Sequence, residues 1–579
     1  MSIAFKRIED AFEQAGLPGL VPSFSFAAGA SPAFRLLRLQ CRGELDADER
    51  RGPHVRDEAH VALCRDMLRI ARETTADVVL TPEYSFPLEM IDEMTANPEL
   101  QPPSGKLWCL ACQGEERARF EDRLGSWGRH GRAQVVRPLP GEYEPSDFVC
   151  ALLYVFMGSD DHTLCIVPQY KLYASADPEL YCEGVALTRG TAVYAFGSDG
   201  PNRLCSIICA DAFHPELEAG HFFREGESWI VLHPQLNKRP RHGDMVRLRD
   251  SFYSRTAGRG VVYVTSNWAE STTVRLPQQA MTVSTPWSCV YMKHTDEWVD
   301  SLRRARSDNL PKGLGFAYSD KAKVKVWYAH KREHLQLLAV AKPNPAVAEV
   351  SRIPAGVKAE RLYVPDEARG RWLEAELPFD AELPDVVAKA AAGPFRFPLD
   401  ASTEQRDRFF GLCLGHGEAG QLQFATGGDN PELSGRLSLH IDDDCESVRN
   451  EYANRVGKLI YCLNAGEAGL PGQLRHMQSG PRFHLSGDYP HYNVFPAEGD
   501  EREGVWVAYA GNEREARELS VKMLGIVGRD RETRVCVFST RDGSHETVAY
   551  PAMRVDCTAP ARIGSPVDFT VGGNPAWNR

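Results

Sequence analysis

The chain has 579 residues, 43% of them hydrophobic and 25% charged, and a formal net charge of −12 at pH 7. This length exceeds what one hydrophobic core supports, so two or more domains are expected. The negative charge argues against general nucleic-acid binding, and no stretch reaches the roughly 18 uninterrupted apolar residues of a membrane helix. Because the start of the chain also lacks the apolar core of a signal peptide, we expect neither membrane nor nucleic-acid partners.

The cysteine pattern indicates a reducing compartment. The 15 cysteines are an odd number scattered through apolar runs, which is typical of reduced thiols and predicts a cytoplasmic protein. Cys109 and Cys112 form an isolated CxxC motif. Its apolar flanks favour a buried strand over a metal or redox site.

The first predicted elements alternate between strand and helix. Residues 1–32 are interpreted as an N-terminal extension with a short helix and a loop rich in glycine, proline and serine. The alternating residues 33–40 predict the first strand, and apolar residues at helical spacing predict an amphipathic helix over 57–75. The β-branched run Val78–Leu80 predicts a strand that is buried on both faces.

Glu83 follows this buried strand directly. Sites of α/β folds lie at the carboxyl ends of central strands, so Glu83 is a candidate general base. The neighbouring Tyr84 and Phe86 would desolvate the carboxylate and raise its pKa toward neutrality. A solvated loop glutamate is the alternative interpretation.

Lys171 follows a predicted pair of strands. Residues 115–145 are charged and rich in glycine and proline, which indicates an insertion or mobile loop. Residues 148–157 and 162–168 then predict two strands joined by a turn. Lys171 comes directly after the second strand, where a fixed ammonium group would stabilise a developing oxyanion. A solvated lysine is the alternative.

Cys209 ends a third apolar run, at residues 204–208. A cysteine at the end of a buried strand is held in place, and the backbone N–H groups that follow it face the same space. Such a cysteine is a candidate nucleophile, although an isolated buried cysteine is more often structural.

The order of these three residues, each in its local setting, resembles the carbon–nitrogen hydrolase (nitrilase) superfamily, in its amidase-like branch. The stretch ADVVLTPEYSFP is similar to the family's glutamate motif, QYKLY to its lysine motif and ICADAFHPE to its cysteine motif. The later stretches Trp229–Pro234 and Val261–Asn267 also resemble core strands of the family. The resemblance covers about residues 33–345, and the rest of the chain resembles no family.

The resemblance implies an α/β fold in which two sheets form an α-β-β-α sandwich. Residues 1–345 would then be a nitrilase-like catalytic domain that includes the N-terminal extension. Proline-rich breaks indicate a linker over residues 346–379. Residues 380–579 are predicted to form a second, α+β domain of unknown function, which could bind a protein partner.

The resemblance also implies a reaction. Cys209 would attack an amide-type carbon, Glu83 would act as the general base, and Lys171 with the backbone N–H of Ala210 would hold the oxyanion. The family has a second glutamate eight residues after the lysine, which corresponds to Glu179. Glu183 is a competing candidate, because insertions shift the register.

Further expectations follow from the same resemblance. Tyr84, Ala210, Asp211 and Phe213 would line the pocket for a small-molecule substrate with an amide-type C–N bond. No metal or organic cofactor is needed, and a homodimer or larger homo-oligomer is expected. The alternatives are an amidotransferase or acyltransferase on the same site, and a non-catalytic scaffold whose C-terminal domain binds a partner.

The basic loop 237–242 has two interpretations. Its positive charges would clamp an acidic substrate if the loop lies near the mouth of the site. The alternative is an ordinary solvated loop.

The second half of the chain is predicted from local patterns alone. Residues 409–414 and 421–425 are interpreted as a hairpin around the sequence GHGEAG, which is a GxGxxG motif in the wrong setting for nucleotide binding. Helices are expected over 444–463 and 513–525. Two strands are expected near 533–539 and 546–550.

Overall fold

The structure is a computed structural model, and it divides the chain into two compact units, Met1–Phe379 and Asp380–Arg579, here named unit 1 and unit 2. The described residues are 3–129, 133–138, 142–175, 180–213, 228–238, 260–276, 280–283, 288–293, 309–319, 324–344, 356–377, 385–390, 403–416, 443–464, 471–477, 481–540 and 547–551.

Unit 1 consists mainly of strands. Among the described residues its strands are, in chain order, β1 (Ala4–Arg7), β2 (Ala33–Gln40), β3 (Glu44–Asp48), β4 (Gly52–Val55), β5 (Val78–Leu80), β6 (Leu107–Ala111), β7 (Glu115–Glu116), β8 (Ala133–Val135), β9 (Tyr143–Glu144), β10 (Phe148–Val149), β11 (Ala151–Met157), β12 (Leu164–Tyr170), β13 (Leu187–Gly190), β14 (Ala192–Phe196), β15 (Asn202–Ser206), β16 (Ser228–Pro234), β17 (Val261–Ser266), β18 (Thr272–Arg275), β19 (Ala280–Val283), β20 (Cys289–Lys293), β21 (Leu314–Ser319), β22 (Val324–Ala329), β23 (His334–Ala341), β24 (Val357–Asp366) and β25 (Arg371–Glu374).

Its α-helices in the described part of the chain are α1 (Ile8–Gln14), α2 (Glu58–Glu73), α3 (Leu88–Ala96), α4 (Arg117–Arg129) and α5 (Tyr181–Ala186). Helix α2 begins where the Asp57 carboxylate accepts a hydrogen bond from the Ala59 N–H at 2.8 Å, as a good N-cap residue does.

Two large mixed sheets form the centre of unit 1. The described strands of the first, here named sheet I, run in the order β25-β24-β23-β2-β5-β6-β11-β12-β8. Those of the second, sheet II, run in the order β1-β14-β15-β16-β17-β20-β22-β21. Every residue of β11 and β12 is buried, which explains why both strands are continuous apolar runs rather than alternating ones.

Side chains connect the two sheets. The Gln169 amide of β12 donates to the Ser206 carbonyl at the end of β15 at 2.9 Å. Ser266 of β17 donates through its hydroxyl to the Leu39 carbonyl of β2 at 2.6 Å. The first of these bonds joins the ends of β12 and β15, the strands that precede Lys171 and Cys209.

Several elements of unit 1 agree with the sequence-based expectations. Strands β2 and β5 have the predicted bounds, and α2 falls within the predicted helix. The CxxC motif lies on and just after the buried strand β6, as its apolar flanks predicted. The described cysteines are free thiols. The mixed helices and strands of the chain fit the general α/β class.

Three segments of unit 1 differ from the expectations. Residues 4–7 of the assumed extension pair with β14 as a strand of sheet II. Residues 117–129 of the assumed loop form α4, which buries Phe120, Leu124 and Trp127. The assumed linker contains β24 and β25, which continue sheet I beyond β23, because Val357, Ala359 and Leu362 bury apolar side chains there.

Unit 2 is a smaller α+β unit. Its described helices are α6 (Asp385–Ala390), α7 (Thr403–Cys413), α8 (Asp443–Asn464) and α9 (Glu513–Val527), and its described strands are β26 (Pro481–Phe483), β27 (Val494–Pro496), β28 (Trp506–Tyr509), β29 (Val535–Thr540) and β30 (Thr547–Pro551). Strand β28 is parallel to β29, and β30 is antiparallel to it.

Alternating residues of the central strands of unit 2 face two different apolar cores. Val507 of β28 packs in one core with Val456 and Leu459 of α8. Trp506 belongs to the other core, together with Met523 of α9. Helices therefore cover both faces of this sheet, which is the arrangement that a period-two strand pattern with apolar residues on both faces requires.

The predictions for unit 2 succeed for its later elements and fail for the hairpin. Helices α8 and α9 and strands β29 and β30 lie close to their predicted bounds. Residues 409–413 belong to helix α7, not to a strand. Their apolar run was too short to distinguish a buried helix from a strand, and the second half of the proposed hairpin lies outside the described residues. No helix in the described part of the chain is long and apolar enough to cross a bilayer.

Candidate active site

Glu83 lies just beyond the end of β5, which is parallel to both β2 and β6. The backbone turns sharply at this point, and Tyr84 adopts a positive φ of 61°. The Glu83 side chain is 0% exposed. The Trp268 indole N–H donates to the Glu83 backbone carbonyl at 2.7 Å, so the turn that presents the carboxylate is itself held in place.

Lys171 follows β12, and its ammonium group lies between two carboxylates. Its Nζ donates to Glu83 Oε1 at 2.7 Å and to Glu183 Oε1 and Oε2 at 2.8 and 2.7 Å. All three side chains are 0% exposed. Because an unpaired buried charge is very costly, this close pairing offsets much of the cost of burying the three groups.

Glu183 of α5 is the second glutamate that the described residues bring to Lys171. The Tyr84 hydroxyl donates to its Oε1 at 2.7 Å, and the Ser175 N–H donates to its Oε2 at 2.7 Å. Glu183 was the competing candidate from the sequence. Glu179, to which the eight-residue spacing pointed, lies outside the described residues.

Cys209 follows β15, whose neighbour β16 runs parallel to it. Its backbone has a positive φ of 40°, a strained conformation for a residue with a Cβ atom. The Cys209 thiol lies 3.9 Å from the Leu236 carbonyl oxygen, and the Glu83 carboxylate is near enough to raise the pKa of this thiol. The structure thus brings Glu83, Lys171 and Cys209 together at the ends of strands from two different sheets.

Burial sets the protonation states of these groups. Desolvation raises the pKa of Glu83 to about 6, against the opposing pull of the Lys171 ammonium. Burial by itself would lower the pKa of Lys171, but the Glu183 and Glu83 carboxylates raise it well above its usual value. Burial raises the pKa of the Cys209 thiol well above 9.0. At neutral pH the site therefore holds a carboxylate, an ammonium group and a neutral thiol.

This combination suits proton transfer that is coupled to nucleophilic attack. A thiol with a raised pKa is a poor nucleophile unless a base removes its proton during the attack. The Glu83 carboxylate lies near that thiol, and its raised pKa brings it close to the ideal for a general base at neutral pH.

Asp211 has a structural role in the described geometry. Its Oδ1 accepts hydrogen bonds from the Leu172 and Tyr173 N–H groups at 2.8 and 2.9 Å. Its Oδ2 accepts the Ile208 N–H at 2.9 Å. Burial raises the Asp211 pKa to about 7. Through these three bonds Asp211 joins the turn after β12 to the turn after β15, whereas its predicted place in the substrate pocket stays a prediction.

The other predicted pocket residues have different positions. Ala210 and Phe213 lie in the short 3-10 helix Cys209–Phe213, in which Ala210 is buried and Phe213 half-buried. The Tyr84 ring is 0% exposed, and its hydroxyl contacts Glu183. Tyr84 therefore fixes the second carboxylate.

Sequence reasoning missed three groups around the triad. The Leu236 N–H donates to Glu83 Oε2 at 3.1 Å, and Trp268 holds the Glu83 carbonyl. The Cys150 thiol donates to Glu83 Oε1 at 3.8 Å. A backbone donor leaves no trace in a sequence, and a tryptophan or cysteine in an apolar run has the same appearance as any core residue.

Most of the basic loop 237–242 lies outside the described residues. Of the basic loop, Asn237 and Lys238 are described, whereas residues 239–242 lie outside the described residues. In the part of the chain that is described, no group of three or more His, Cys, Asp or Glu side chains is arranged to hold a metal ion.

No protein-family model matches this chain, and no curated protein is significantly similar to it.

Proposed function

We propose that the protein is a thiol-dependent hydrolase of a non-peptide, amide-type C–N bond, as its resemblance to the nitrilase superfamily suggests. The observation that carries this proposal is one cluster. Lys171 bonds to the Glu83 and Glu183 carboxylates in a buried site, and the Cys209 thiol lies near enough to Glu83 for the two groups to shift each other's pKa. A purely structural role has no need for a thiol next to a base and a fixed cation.

The sheets of unit 1 support the finer fold proposal, an α-β-β-α sandwich. Two large sheets contact each other through side chains such as Gln169 and Ser266. The two sheets contribute different parts of the site, because Glu83 and Lys171 follow strands of sheet I and Cys209 follows a strand of sheet II. A cytoplasmic homo-oligomer that acts on a small amide remains part of this proposal.

The first half-reaction forms a thioester. Glu83 takes the proton of Cys209 as the sulfur attacks the carbonyl carbon and the π electron pair moves to oxygen. The Lys171 ammonium and the Ala210 backbone N–H stabilise this oxyanion, and the loss of one such donor typically costs about 3–4 kcal/mol of barrier. The C–N bond then breaks, and Glu83 gives its proton to the departing nitrogen.

The position of Lys171 couples these events. Before the attack its N–H groups are engaged by two carboxylates. When Glu83 accepts the thiol proton it loses its charge, which weakens its hold on Lys171 as the oxyanion forms. The ammonium can then turn toward the new negative charge without leaving Glu183.

The second half-reaction releases the acid. Glu83 takes a proton from water, the resulting hydroxide adds to the thioester, the C–S bond breaks, and the proton returns to sulfur. The overall change is an amide and water to an acid and an amine. If an amine replaces water, the same steps give acyl transfer, which is the alternative activity.

The test is intact-mass analysis of the full chain incubated with a library of small amides, together with assays of released ammonia or amine. We expect acyl adducts on the wild type and none on Cys209→Ala. Cys205→Ala is the matched control, because Cys205 is a buried thiol on β15 just before the site.

The outcomes separate the candidate functions. Release of free acid supports the hydrolase, whereas products that appear only with an added amine support the acyltransferase. If neither adducts nor turnover occur across a broad library, the catalytic proposal fails and the scaffold interpretation is favoured.

A further inference from the structure

Two consecutive residues after β17 support the candidate site: Trp268 bonds to Glu83, and Asn267 bonds to the turn next to Cys209. Asn267 and Trp268 are 0% exposed, and β17 ends at Ser266. The Trp268 indole N–H donates to the Glu83 carbonyl at 2.7 Å. Asn267 bonds to the turn that follows β16.

The Asn267 amide fixes two successive peptide units of that turn. The Asn237 N–H donates to Asn267 Oδ1 at 3.0 Å, and Asn267 Nδ2 donates to the Asn237 carbonyl at 2.7 Å. This pattern defines the orientation of the amide, since a flipped side chain would oppose two donors and two acceptors.

The peptide between Leu236 and Asn237 connects this amide to the nucleophile. Its N–H bonds to Asn267, and its carbonyl oxygen lies 3.9 Å from the Cys209 thiol. The preceding N–H, that of Leu236, donates to Glu83 Oε2 at 3.1 Å. One short turn therefore touches the base and the nucleophile at the same time.

We infer that Asn267 is a positioning residue for the proposed reaction: it holds the 236–237 turn so that the turn aligns the Cys209 thiol with the Glu83 carboxylate. This inference rests on the proposed function. The Leu236 carbonyl lies beside the thiol and the Leu236 N–H bonds to the carboxylate, so the position of this one turn limits where both groups can lie.

Loss of the amide should have a chemical signature as well as a structural one. Without the Asn267 amide the turn loses two hydrogen bonds, the Leu236 N–H should move away from the Glu83 carboxylate, and the charged form of Glu83 should lose a donor. Removal of a hydrogen bond to a carboxylate raises its pKa. The reactivity of Cys209 should then require a higher pH than in the wild type.

The chain offers a matched control. Asn309 is also buried, and its amide makes the same two kinds of bond to the backbone of β24, from Nδ2 to the Val357 carbonyl at 3.0 Å and from the Ala359 N–H to Oδ1 at 2.8 Å. Asn309→Ala therefore removes an equivalent buried amide of unit 1 that makes no recorded bond to the 236–237 turn.

The experiment measures alkylation of Cys209 by iodoacetamide as a function of pH, with the modified peptide quantified by mass spectrometry. The wild type should show a step at the pKa of Glu83. In Asn267→Ala we expect the rate at pH 7 to fall about tenfold, as the loss of one hydrogen bond to a charged group would give, and the step to move to higher pH. Asn309→Ala should keep the wild-type profile.

Two results are decisive. If Asn267→Ala keeps the wild-type profile, or if Asn309→Ala changes it equally, the positioning role is refuted. If the wild type shows no step but Asn267→Ala alone slows alkylation, the proposed base is wrong while the positioning of the thiol stands. Asn267→Asp provides a second variant: its new carboxylate faces the Asn237 carbonyl and should slow alkylation further.

Discussion

The two units of the chain differ in the charge that they bury. The core of unit 1 encloses ionisable side chains that are 0% exposed, among them Arg38, Glu83, Lys171, Glu183 and Asp211. Among the described residues of unit 2, the buried polar side chains are neutral: Ser486, Asn493, Ser520 and Ser539.

The buried charged side chains of unit 1 indicate where a reaction can take place. Each buried ion costs several kcal/mol unless it is paired. Clusters of such ions with shifted pKa values are concentrated at functional sites. We therefore expect the chemistry of this protein in unit 1, and we expect the polar groups in the core of unit 2 to serve folding alone.

The largest effect is expected when the ammonium group of Lys171 is removed, which tests whether the buried charges of unit 1 depend on one another. Lys171→Met leaves Glu83 and Glu183 side by side without a counter-charge, so we expect unit 1 to lose about 3–5 kcal/mol of stability. The pKa of Glu83, already about 6, should rise further. The loss should be smaller below pH 6 than above it, because a protonated carboxyl relieves the repulsion.

Hydrogen exchange on peptides of unit 1, measured at pH 5.5 and pH 8, would test this prediction. Arg455→Ala in unit 2 is the control, because Arg455 pairs with Glu451 and Glu515 at the surface. Its loss should cost less than about 1 kcal/mol. Equal effects of the two variants would contradict the comparison.

The base itself should control the pH profile. Because burial raises the pKa of Glu83 to about 6, its carboxylate is protonated below that pH, and kcat/KM should fall about tenfold per pH unit there. Glu83→Gln should lower kcat by about 10² to 10⁴ and abolish this acid limb. Glu115→Gln is a suitable control, because Glu115 is buried and paired with Arg123.

Asp211 tests whether a buried carboxylate can be purely structural. In Asp211→Asn one acceptor oxygen becomes an NH₂ group, which leaves one of three backbone donors without a partner. We expect a loss of about 2–3 kcal/mol, measured as a lower midpoint of thermal unfolding. The turn that carries Lys171 and the turn that carries Cys209 should then move apart, so kcat should fall more than KM changes. An unchanged midpoint would contradict the structural role of the Asp211 hydrogen bonds.

The smallest effect is expected in unit 2. The Asn493 amide bonds to the backbone of Val507 at 2.8 and 2.9 Å, so Asn493→Ala should cost about 1–3 kcal/mol. Because no charge is involved, the loss should be the same at pH 5.5 and pH 8. Calorimetry of the full chain at both pH values would measure it, and kcat should not change.

Local sequence patterns predicted the elements of unit 1 well where the chain is strongly apolar. The strands before Glu83 and Lys171 were expected because runs of buried residues have a simple signature. The segments 117–129 and 357–374 were misinterpreted, because their many charged residues conceal half-buried elements. Helix α7 was misinterpreted as a strand for a similar reason, since a short apolar run has no clear period.

The amino-acid sequence by itself determined which reactive side chains stand at the ends of buried strands: Glu83, Lys171 and Cys209 each follow an apolar run that forms a strand from local preferences. Only the tertiary structure decided their partners. The contact between Lys171 and Glu183, the hydrogen bonds of Asp211 and the turn held by Asn267 depend on how helices, strands and sheets pack against one another. That packing is set by many weak contacts between distant residues, and no local pattern specifies it.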